Sequence, residues 1–186
     1  SSGFHGAPMV IEAARPWAID LTRKLKWPAA VAVLHENAVF VRFSTIPDSP
    51  VSPFHATINM RLSLISRALG RAYLAYCPKE ERQLLVNMLA ASPHEEDHPD
   101  NLPLLVQSLV RTTRHRGFAE RDAGAEPSNS GTVAVPIMAD GMVLATLGIT
   151  YFRSAVNRSA LLDTLVPAIK EARARIEQSI EAMKTP

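Results

Sequence analysis

The sequence predicts an α+β domain in which helices flank one curved antiparallel sheet. Two observations predict this fold. The β-rich segments come in neighbouring pairs joined by short turns, and such pairs are antiparallel because parallel strands need a long crossover. Helical periodicity marks both ends of the chain and its middle, so helices and strands are grouped and do not alternate. We expect the helices on one face of the sheet and a ligand cleft on the other.

The N-terminal part of the chain predicts a helix and then a hairpin. Apolar residues recur at helical spacing from Pro8 to Leu25, and Pro16 should kink this helix or restart it near Trp17. The β-rich segments "AAVAVL" and "AVFVRF" follow, with residues 35–37, "HEN", as their turn. The proline-rich "PDSPVSPF" is predicted to be a loop, because proline cannot donate to a central ladder. A short strand within "HATINMRLSL" leads to the next helix.

The remainder of the chain predicts a helical middle, a second hairpin and a terminal helix. The helix in "LISRALGRAYLAYC" is interrupted at Pro78, and helices over Lys79–Leu89 and Leu102–His115 follow it. "GFAERD" is a weak strand, whereas "GTVAVPIM" and "MVLATLGITYF" are strong strands joined at "ADG". The last helix begins near Arg158 and has one apolar stripe, formed by Leu162, Leu165, Ile169, Ala172, Ile176, Ile180 and Met183.

The composition favours a single domain, residues 1–186, with no membrane or nucleic-acid surface of its own. Hydrophobic residues make up 47% of the chain, enough for a core, and the formal net charge of +2 is too small to predict nucleic-acid binding. The single cysteine, Cys77, excludes an internal disulfide and fits a reducing compartment. No apolar run reaches the about 18 residues of a membrane span. We therefore expect a soluble, cytoplasmic protein.

Three motifs that could carry catalysis or bind a metal have simpler explanations. "HEEDH", residues 94–98, matches a zinc-protease pattern, but the flanking prolines leave no room for the helix that this chemistry needs, so we expect a solvated loop. The basic "RTTRHRG" suits the last turn of a helix capped by Gly117. Cys77 has no basic partner within the preceding turn and is expected to be structural. We therefore assign no catalytic residue, metal ligand or cofactor.

Two segments indicate a small-molecule site. Gly70 lies near the start of a helix, beside Ala68 and Ala72, where glycine costs about 1 kcal/mol relative to alanine. Either another element packs closely there, or the exposed backbone N–H groups face a ligand. In "EPSNSGTVAVP", short polar side chains stand at the mouth of an apolar strand. This segment is either an ordinary loop or the polar rim of an apolar pocket.

These two segments together resemble the effector-binding domain of bacterial transcriptional regulators of the IclR family. "RLSLISRALGRAYLAYCPKEE" is similar to the family's run of Arg-Leu-Pro-Leu, three variable residues, Ala-x-Gly-Lys/Arg-Ala-x-Leu-Ala and then Pro-Glu-Glu. "RGFAERDAGAEPSNSGTVAVPIMADGMVLATLGIT" is similar to its second half, in which a glutamate-bearing loop precedes the hairpin. The resemblance covers almost the whole chain, and the order and spacing of the motifs make it specific. "AYLAYCPKEER" and "VAVPI" look closest to the subgroup that activates catabolism of hydroxyphenylpropionate-like aromatic acids.

The resemblance implies a GAF- or profilin-like domain whose ligand pocket borders the turn at Gly70. Where many members carry Pro-x-His-Ala-Thr, this chain departs from the pattern, and its Arg67 could bind a carboxylate or point to solvent. Carried over by position, the ligand-binding residues are Phe54 and Leu62 on an apolar wall, Ala68 and Leu69 on the helix turn, and Ser130 and Thr132 at the strand mouth.

The resemblance also implies a function and partners. The effector would be a small organic acid, the domain would form a homodimer or tetramer, and DNA would be bound only through the family's winged helix–turn–helix domain, which this sequence lacks. The first helix, with Val10, Trp17 and Leu21, offers apolar surface for self-association. Two other hypotheses are a hydrolase-like enzyme using the same pocket and a dimerisation module whose pocket is filled. Against the enzyme, the sequence assembles no nucleophile–base pair and no metal-binding set.

Overall fold

The structure, a computed structural model, describes residues 2–184, and for residues 2–7 it describes the backbone only. The strands are β1 (Ala29–His35), β2 (Ala38–Ser44), β3 (Arg61–Ser63), β4 (Ala119–Glu120), β5 (Ser130–Ala139) and β6 (Met142–Phe152). The helices are α1 (Ser2–Leu25), α2 (Ala68–Tyr76), α3 (Lys79–Leu89), α4 (Leu102–Arg116), α5 (Arg158–Ala160) and α6 (Val166–Lys184). A π-helical turn, Leu161–Leu165, joins α5 to α6. Within the described residues, no helix is long and apolar enough to cross a bilayer.

The strands form one six-stranded antiparallel sheet in the order β3-β2-β1-β6-β5-β4, which confirms the predicted α+β fold. In the first hairpin, His35 pairs with Ala38 across a two-residue turn. In the second, the turn residues Asp140 and Gly141 have φ angles of 52° and 76°. Positive φ at both central positions is typical of the type I′ turn that suits a tight hairpin. Both predicted hairpins are therefore present.

The central strands β5 and β6 have two unlike faces. Leu147 and Ile149 of β6 lie in the core that contains α1 and α6. Between them, Gly148 contacts Leu69 of α2 on the opposite face. β5 repeats the pattern, since Val133 lies in the first core and Ala134 in the second. Large aliphatic residues therefore line one face, and small residues and threonines line the other, where they leave room above the sheet.

Helices cover both faces of the sheet, so the expectation of helices on one face only was wrong. On one face, α1 packs against α6, with Val10 and Ile176 among the buried residues. On the other face, α2, α3 and α4 bury Leu74, Leu85 and Leu109. A sheet that is apolar on both sides must be covered on both. Of the two effects expected of Pro16, a kink or a restart near Trp17, the restart is excluded, because α1 continues through Pro16.

Gly70 lies in the first turn of α2, where the helix approaches the end of β3. A Cβ atom on this residue would lie 2.0 Å from the Ser63 carbonyl oxygen and 2.8 Å from the Cα of Leu64. Only glycine allows a helix to come this close to another backbone segment. Of the two explanations for Gly70, the structure therefore supports close packing, and the residue itself is not part of the cavity wall described below.

Candidate functional site

A cavity of about 260 Å³ lies between the first residues of α2, the sheet and the loop that precedes β3. Its walls combine strand residues, the helix start, the proline-rich loop and the segment before β5. The lining residues are Ala30, Val41, Phe54, Thr57, Met60, Arg61, Leu62, Arg67, Ala68, Leu69, Arg121, Glu126, Pro127, Thr132 and Thr150. The cavity therefore has a largely apolar wall and a smaller polar one, as small-molecule sites commonly do.

The cavity brings together most of the residues predicted to bind ligand. Phe54, Leu62, Ala68, Leu69 and Thr132 all line it. Ser130 is not among the lining residues, and it is 0% exposed. Its hydroxyl accepts a hydrogen bond from Nη1 of Arg121 at 3.0 Å and lies 3.3 Å from the Pro127 carbonyl oxygen, to which it donates. The structure thus places Ser130 behind Arg121 and not at the cavity surface.

Small residues and a fixed loop create the apolar part of the cavity. α2 can lie close to β6 because residue 148 is a glycine. A Cβ atom at this position would come within 2.6 Å of Leu69 Cδ1. The loop carrying Phe54 is held locally: the Ser52 hydroxyl donates to the Phe54 carbonyl at 2.6 Å and accepts from the Phe54 N–H at 3.2 Å. This serine turn orients the loop without burying an unsatisfied backbone group.

Arg121 is the functional candidate that the sequence interpretation missed. It follows β4 and is 7% exposed. Nη1 donates to the carbonyl oxygens of Pro127 at 3.0 Å and Ser130 at 3.1 Å, and Nη2 donates to the Thr132 hydroxyl at 2.9 Å. The sequence did contain an indication of this residue. Arg121 comes two residues after Ala119 in "GFAERD", which was interpreted only as a weak strand, and residues two apart on a strand share a face.

The charge of Arg121 has no carboxylate partner among the side chains that the structure describes. By contrast, the buried end of Arg61 contacts Asp97 at 2.9 Å. Burial, and to a smaller extent the charges of Arg67 and Arg153, lowers the pKa of Arg121 to about 10. The guanidinium therefore remains charged at neutral pH while only neutral oxygens surround it, an arrangement that is costly for a buried ion.

Two threonine hydroxyls adjoin this guanidinium at the cavity wall. Thr132 Oγ1 lies 2.9 Å from Thr150 Oγ1, and both residues line the cavity. Thr150 was also missed, although its alternation with Gly148 in "TLGIT" places it on the same face of β6. Together with Arg121, these hydroxyls form the polar corner of the cavity, a name we use for these three residues below.

The sequence left open whether Arg67 binds a carboxylate or points to solvent. Its Nε lies 3.3 Å from Glu96 Oε2, and its Nη1 donates to the Glu126 carbonyl oxygen at 2.7 Å. It lines both the cavity and a wider groove of about 710 Å³, whose walls carry charges of both signs, including Arg71 and Asp122. Arg67 therefore bridges two segments at the rim of the cavity and does not simply extend into solvent.

The "HEEDH" segment contains a buried carboxylate, so the expectation of a solvated loop was partly wrong. Asp97 is 0% exposed and accepts hydrogen bonds from Ser63 Oγ at 2.5 Å, Ser92 Oγ at 2.6 Å and Arg61 Nη2 at 2.9 Å. Burial opposes its ionisation, but these hydrogen bonds outweigh burial and hold the pKa of Asp97 below its ordinary value. Among the side chains that the structure describes, those of residues 8–184, no group of three or more His, Cys, Asp and Glu residues is placed to bind a metal.

The basic "RTTRHRG" segment and Cys77 both have structural roles, as predicted. Gly117, with φ of 83°, caps α4, and the basic residues before it occupy the last helical turn. Cys77 caps α2 and is buried, with its thiol donating to the Leu74 carbonyl at 3.4 Å. Burial, followed by the charge of Glu81, raises the pKa of Cys77 to about 11, so the thiol stays protonated at neutral pH.

The chain matches a family of bacterial proteins over most of its length. The family model described as "Bacterial transcriptional regulator IclR C-terminal" matches residues 7–178. A transcriptional regulator from Rhodococcus sp. RHA1 has a TM-score of 0.79 at 22% identity, over 93% of this chain and 70% of that one.

Two solved structures that contain aromatic acids share the fold. An IclR homolog from Microbacterium hydrocarbonoxydans, complexed with 4-hydroxybenzoate, has a TM-score of 0.75 at 20% identity, over 95% of this chain and 70% of that one. The inducer-binding domain of PobR from Acinetobacter, a double mutant in complex with 3-hydroxybenzoic acid, has a TM-score of 0.71 at 16% identity, over 89% of this chain and 96% of that one.

Proposed function

The chain belongs to the IclR family of bacterial transcriptional regulators as an effector-binding domain, and from this premise we propose that it senses a small organic acid. The observation that carries the proposal is the cavity at the start of α2, with an apolar wall and one polar corner. A volume of about 260 Å³ is slightly below the about 300 Å³ at which drug-sized sites begin. A single-ring or similarly small acid suits a space of this size.

The proposed ligand class is an aromatic or other apolar carboxylic acid. Phe54, Leu62 and Met60 offer apolar surface for a ring, and Thr132 and Thr150 offer hydroxyls for its polar substituents. Two structures of the same fold contain hydroxybenzoates, which are acids of this kind. The ligand-binding residues of this chain would be Phe54, Leu62, Ala68, Leu69 and Thr132, with Ser130 acting through Arg121.

We propose that ligand binding controls DNA binding through the arrangement of subunits in a homodimer or tetramer. An effector can do so only if it binds one arrangement more tightly than another. DNA would be contacted by the N-terminal winged helix–turn–helix domain of the full-length regulator, in the cytoplasm. Of the three residues first expected to offer apolar surface for association, Val10 and Leu21 are buried in the chain's own core, and Trp17 packs against that core but stays partly exposed.

A thermal-shift titration with 3- and 4-hydroxybenzoate tests ligand binding. A ligand at about 100 times its Kd adds about 2.7 kcal/mol of stability, and Tm rises by about 2–4 °C per kcal/mol for a domain of this size. The wild type should therefore show a rise of several degrees. Ala68→Phe, which places a ring in the cavity, should abolish the rise.

The matched control is Ala90→Phe, because Ala90 is exposed at the end of α3 and lies away from the cavity. This variant should keep the wild-type response. Ligand-free melting curves of both variants show whether each is folded. The proposal is wrong if neither acid stabilises the wild type, or if Ala68→Phe binds the acids as well as Ala90→Phe does.

A further inference from the structure

We propose that Arg121 recognises the carboxylate of the ligand, and that the cavity consequently selects acids over neutral molecules of the same shape. This inference rests on the proposed function of the cavity and assigns its charge selectivity to one residue. Arg121 would provide a buried positive end, and the ligand would provide the missing counter-ion.

The first argument is the unbalanced charge. Arg121 is 7% exposed, and its recorded hydrogen bonds go to two carbonyl oxygens and two hydroxyls. A buried arginine usually has an acidic partner, and even the less buried Arg61, whose side chain is 18% exposed, has one in Asp97. A carboxylate in the cavity would supply that partner and would form charge-assisted hydrogen bonds, which are stronger than neutral ones.

The second argument is the direction in which free donors remain. A guanidinium has five N–H donors. Nη1 donates to Pro127, before β5, and to Ser130, the first residue of β5, whereas Nη2 donates to Thr132, which lines the cavity. The donor left on Nη2 therefore lies beside the cavity. The hydroxyls of Thr132 and Thr150, 2.9 Å apart, are next to it for the second carboxylate oxygen.

The third argument is that other positive groups surround the same end of the cavity. Arg67 lies at its rim, close enough to lower the pKa of Arg121 further. Ala68 and Leu69, the first residues of α2, also line the cavity, and the start of a helix carries partial positive charge. Glu126 also lines the cavity, and its carboxylate accepts from the Ser128 N–H at 3.0 Å. Because Arg61, Arg67 and Arg121 line the same cavity, an anion there would meet more positive than negative side chains.

A second cavity, of about 390 Å³, also borders Arg121, on the side of Arg153 and Arg158. We favour the first cavity because it offers the apolar wall of Phe54, Met60 and Leu62 beside the guanidinium. In the second cavity, Arg158 already has a carboxylate partner in Glu120, at 2.6 Å.

Isothermal titration calorimetry with 3-hydroxybenzoate and its neutral isostere 3-hydroxybenzamide tests the inference. The wild type should bind the acid about tenfold to a hundredfold more tightly than the amide, as expected for a hydrogen bond to a charged group. Arg121→Met should lose this preference, mainly because its affinity for the acid falls. Arg121→Lys should keep part of it, because lysine retains the charge without the planar fork of donors.

Arg158→Met is the matched control, since Arg158 lines only the second cavity and is bonded to Glu120 at 2.6 Å, so it should leave the preference unchanged. Equal affinity of the wild type for acid and amide would overturn the inference while leaving the proposed function in place. So would an Arg121→Met variant that keeps its preference for the acid, or an Arg158→Met variant that loses it. If Arg121→Met does not fold, the comparison of acid and amide on the wild type and on Arg121→Lys decides. Failure of both compounds to bind the wild type would overturn the proposed function itself.

Discussion

Gly70 and Gly148 allow α2 to lie close to the sheet, and the cavity opens where this helix begins. At Gly70 the Ser63 carbonyl occupies the place of a side chain, and at Gly148 the Leu69 side chain does so. As a result, Ala68 and Leu69 reach the cavity wall as the first two residues of α2. The position of the helix start is therefore set by two glycines that do not themselves line the cavity.

Gly70→Ala should lower the free energy of unfolding by about 3 kcal/mol, at the upper end of the range for overpacking. The new methyl group would lie 2.0 Å from a backbone oxygen, which cannot rotate away. This cost exceeds the about 1 kcal/mol that alanine gains over glycine within a helix. Chemical denaturation followed by circular dichroism measures the change.

Gly124→Ala is the control for this substitution, because the nearest atom to its Cβ would be Asp122 Oδ2, at 3.3 Å, in an exposed loop. It should change the free energy of unfolding by no more than about 0.5 kcal/mol. If Gly70→Ala is as stable as Gly124→Ala, close packing does not explain Gly70.

At the scale of elements, the connector between α3 and α4 is tied to β3 through one buried carboxylate. Asp97 is bonded to Arg61 and Ser63 of β3 and to Ser92 at the start of the connector. The Ser63 hydroxyl also accepts from the N–H of Ile65 at 3.0 Å, in the turn that leads into α2. The connector thus helps to fix the turn from which α2 starts, and with it one wall of the cavity.

Asp97→Asn should lower the free energy of unfolding by about 1–3 kcal/mol at pH 7, because charged hydrogen bonds are lost in a buried site. The pKa of Asp97 is lower in the folded protein than the about 3.9 of an unfolded chain. Its contribution to stability is therefore complete above that unfolded value and is lost as the pH falls through the folded pKa. The difference between wild type and variant should shrink below about pH 4.

Urea denaturation of both proteins from neutral pH downwards measures this difference. His94→Ala, an exposed change in the same segment, is the control and should alter stability by no more than about 0.5 kcal/mol at pH 7. If the difference in the free energy of unfolding between wild type and Asp97→Asn stays constant down to low pH, the charge of Asp97 does not contribute to stability.

In the whole molecule, two hydrophobic cores lie on opposite faces of one sheet, and only one of them adjoins the cavity. The core with α1 and α6 contains the larger aliphatic side chains of β5 and β6. The opposite core, with α2, α3 and α4, adjoins the cavity. Val10 and Leu21 of α1 are used to cover the sheet and are not available to a partner, whereas Ile11 and Trp17 remain partly exposed.

Self-association remains our expectation for the whole molecule, on the basis of the proposed regulatory mechanism. Sedimentation equilibrium at tens of micromolar should give a mass that is a multiple of the 20.3 kDa chain. A concentration series with and without saturating 3-hydroxybenzoate would show whether the ligand shifts this mass. A single species of 20.3 kDa under all conditions would contradict control through the subunit arrangement.

Much of the candidate site could be predicted from the sequence, because its parts lie in recognisable local patterns. Phe54, Leu62, Ala68, Leu69 and Thr132 were assigned by their positions in family-like motifs, and all five line the cavity. Ser130 was predicted to contact the ligand, whereas it lies behind Arg121, because a hydroxyl at a strand mouth can face either a ligand or a neighbouring side chain. Its partner, Arg121, became apparent only once the strands were paired.

The sequence by itself determined the hairpins and the helices, because these depend on spacing along the chain, and the resemblance of its motifs indicated the family. Only the tertiary structure decided that Arg121 is buried at the cavity. β4 pairs with β5 in a register that sets Ala119 opposite Ala134 and Glu120 opposite Val133. The Arg121 N–H then donates to the Thr132 carbonyl at 3.2 Å, and its side chain lies on the cavity face. A slip of one residue would turn every side chain of β4 to the other face, and no short-range pattern in the sequence specifies that register.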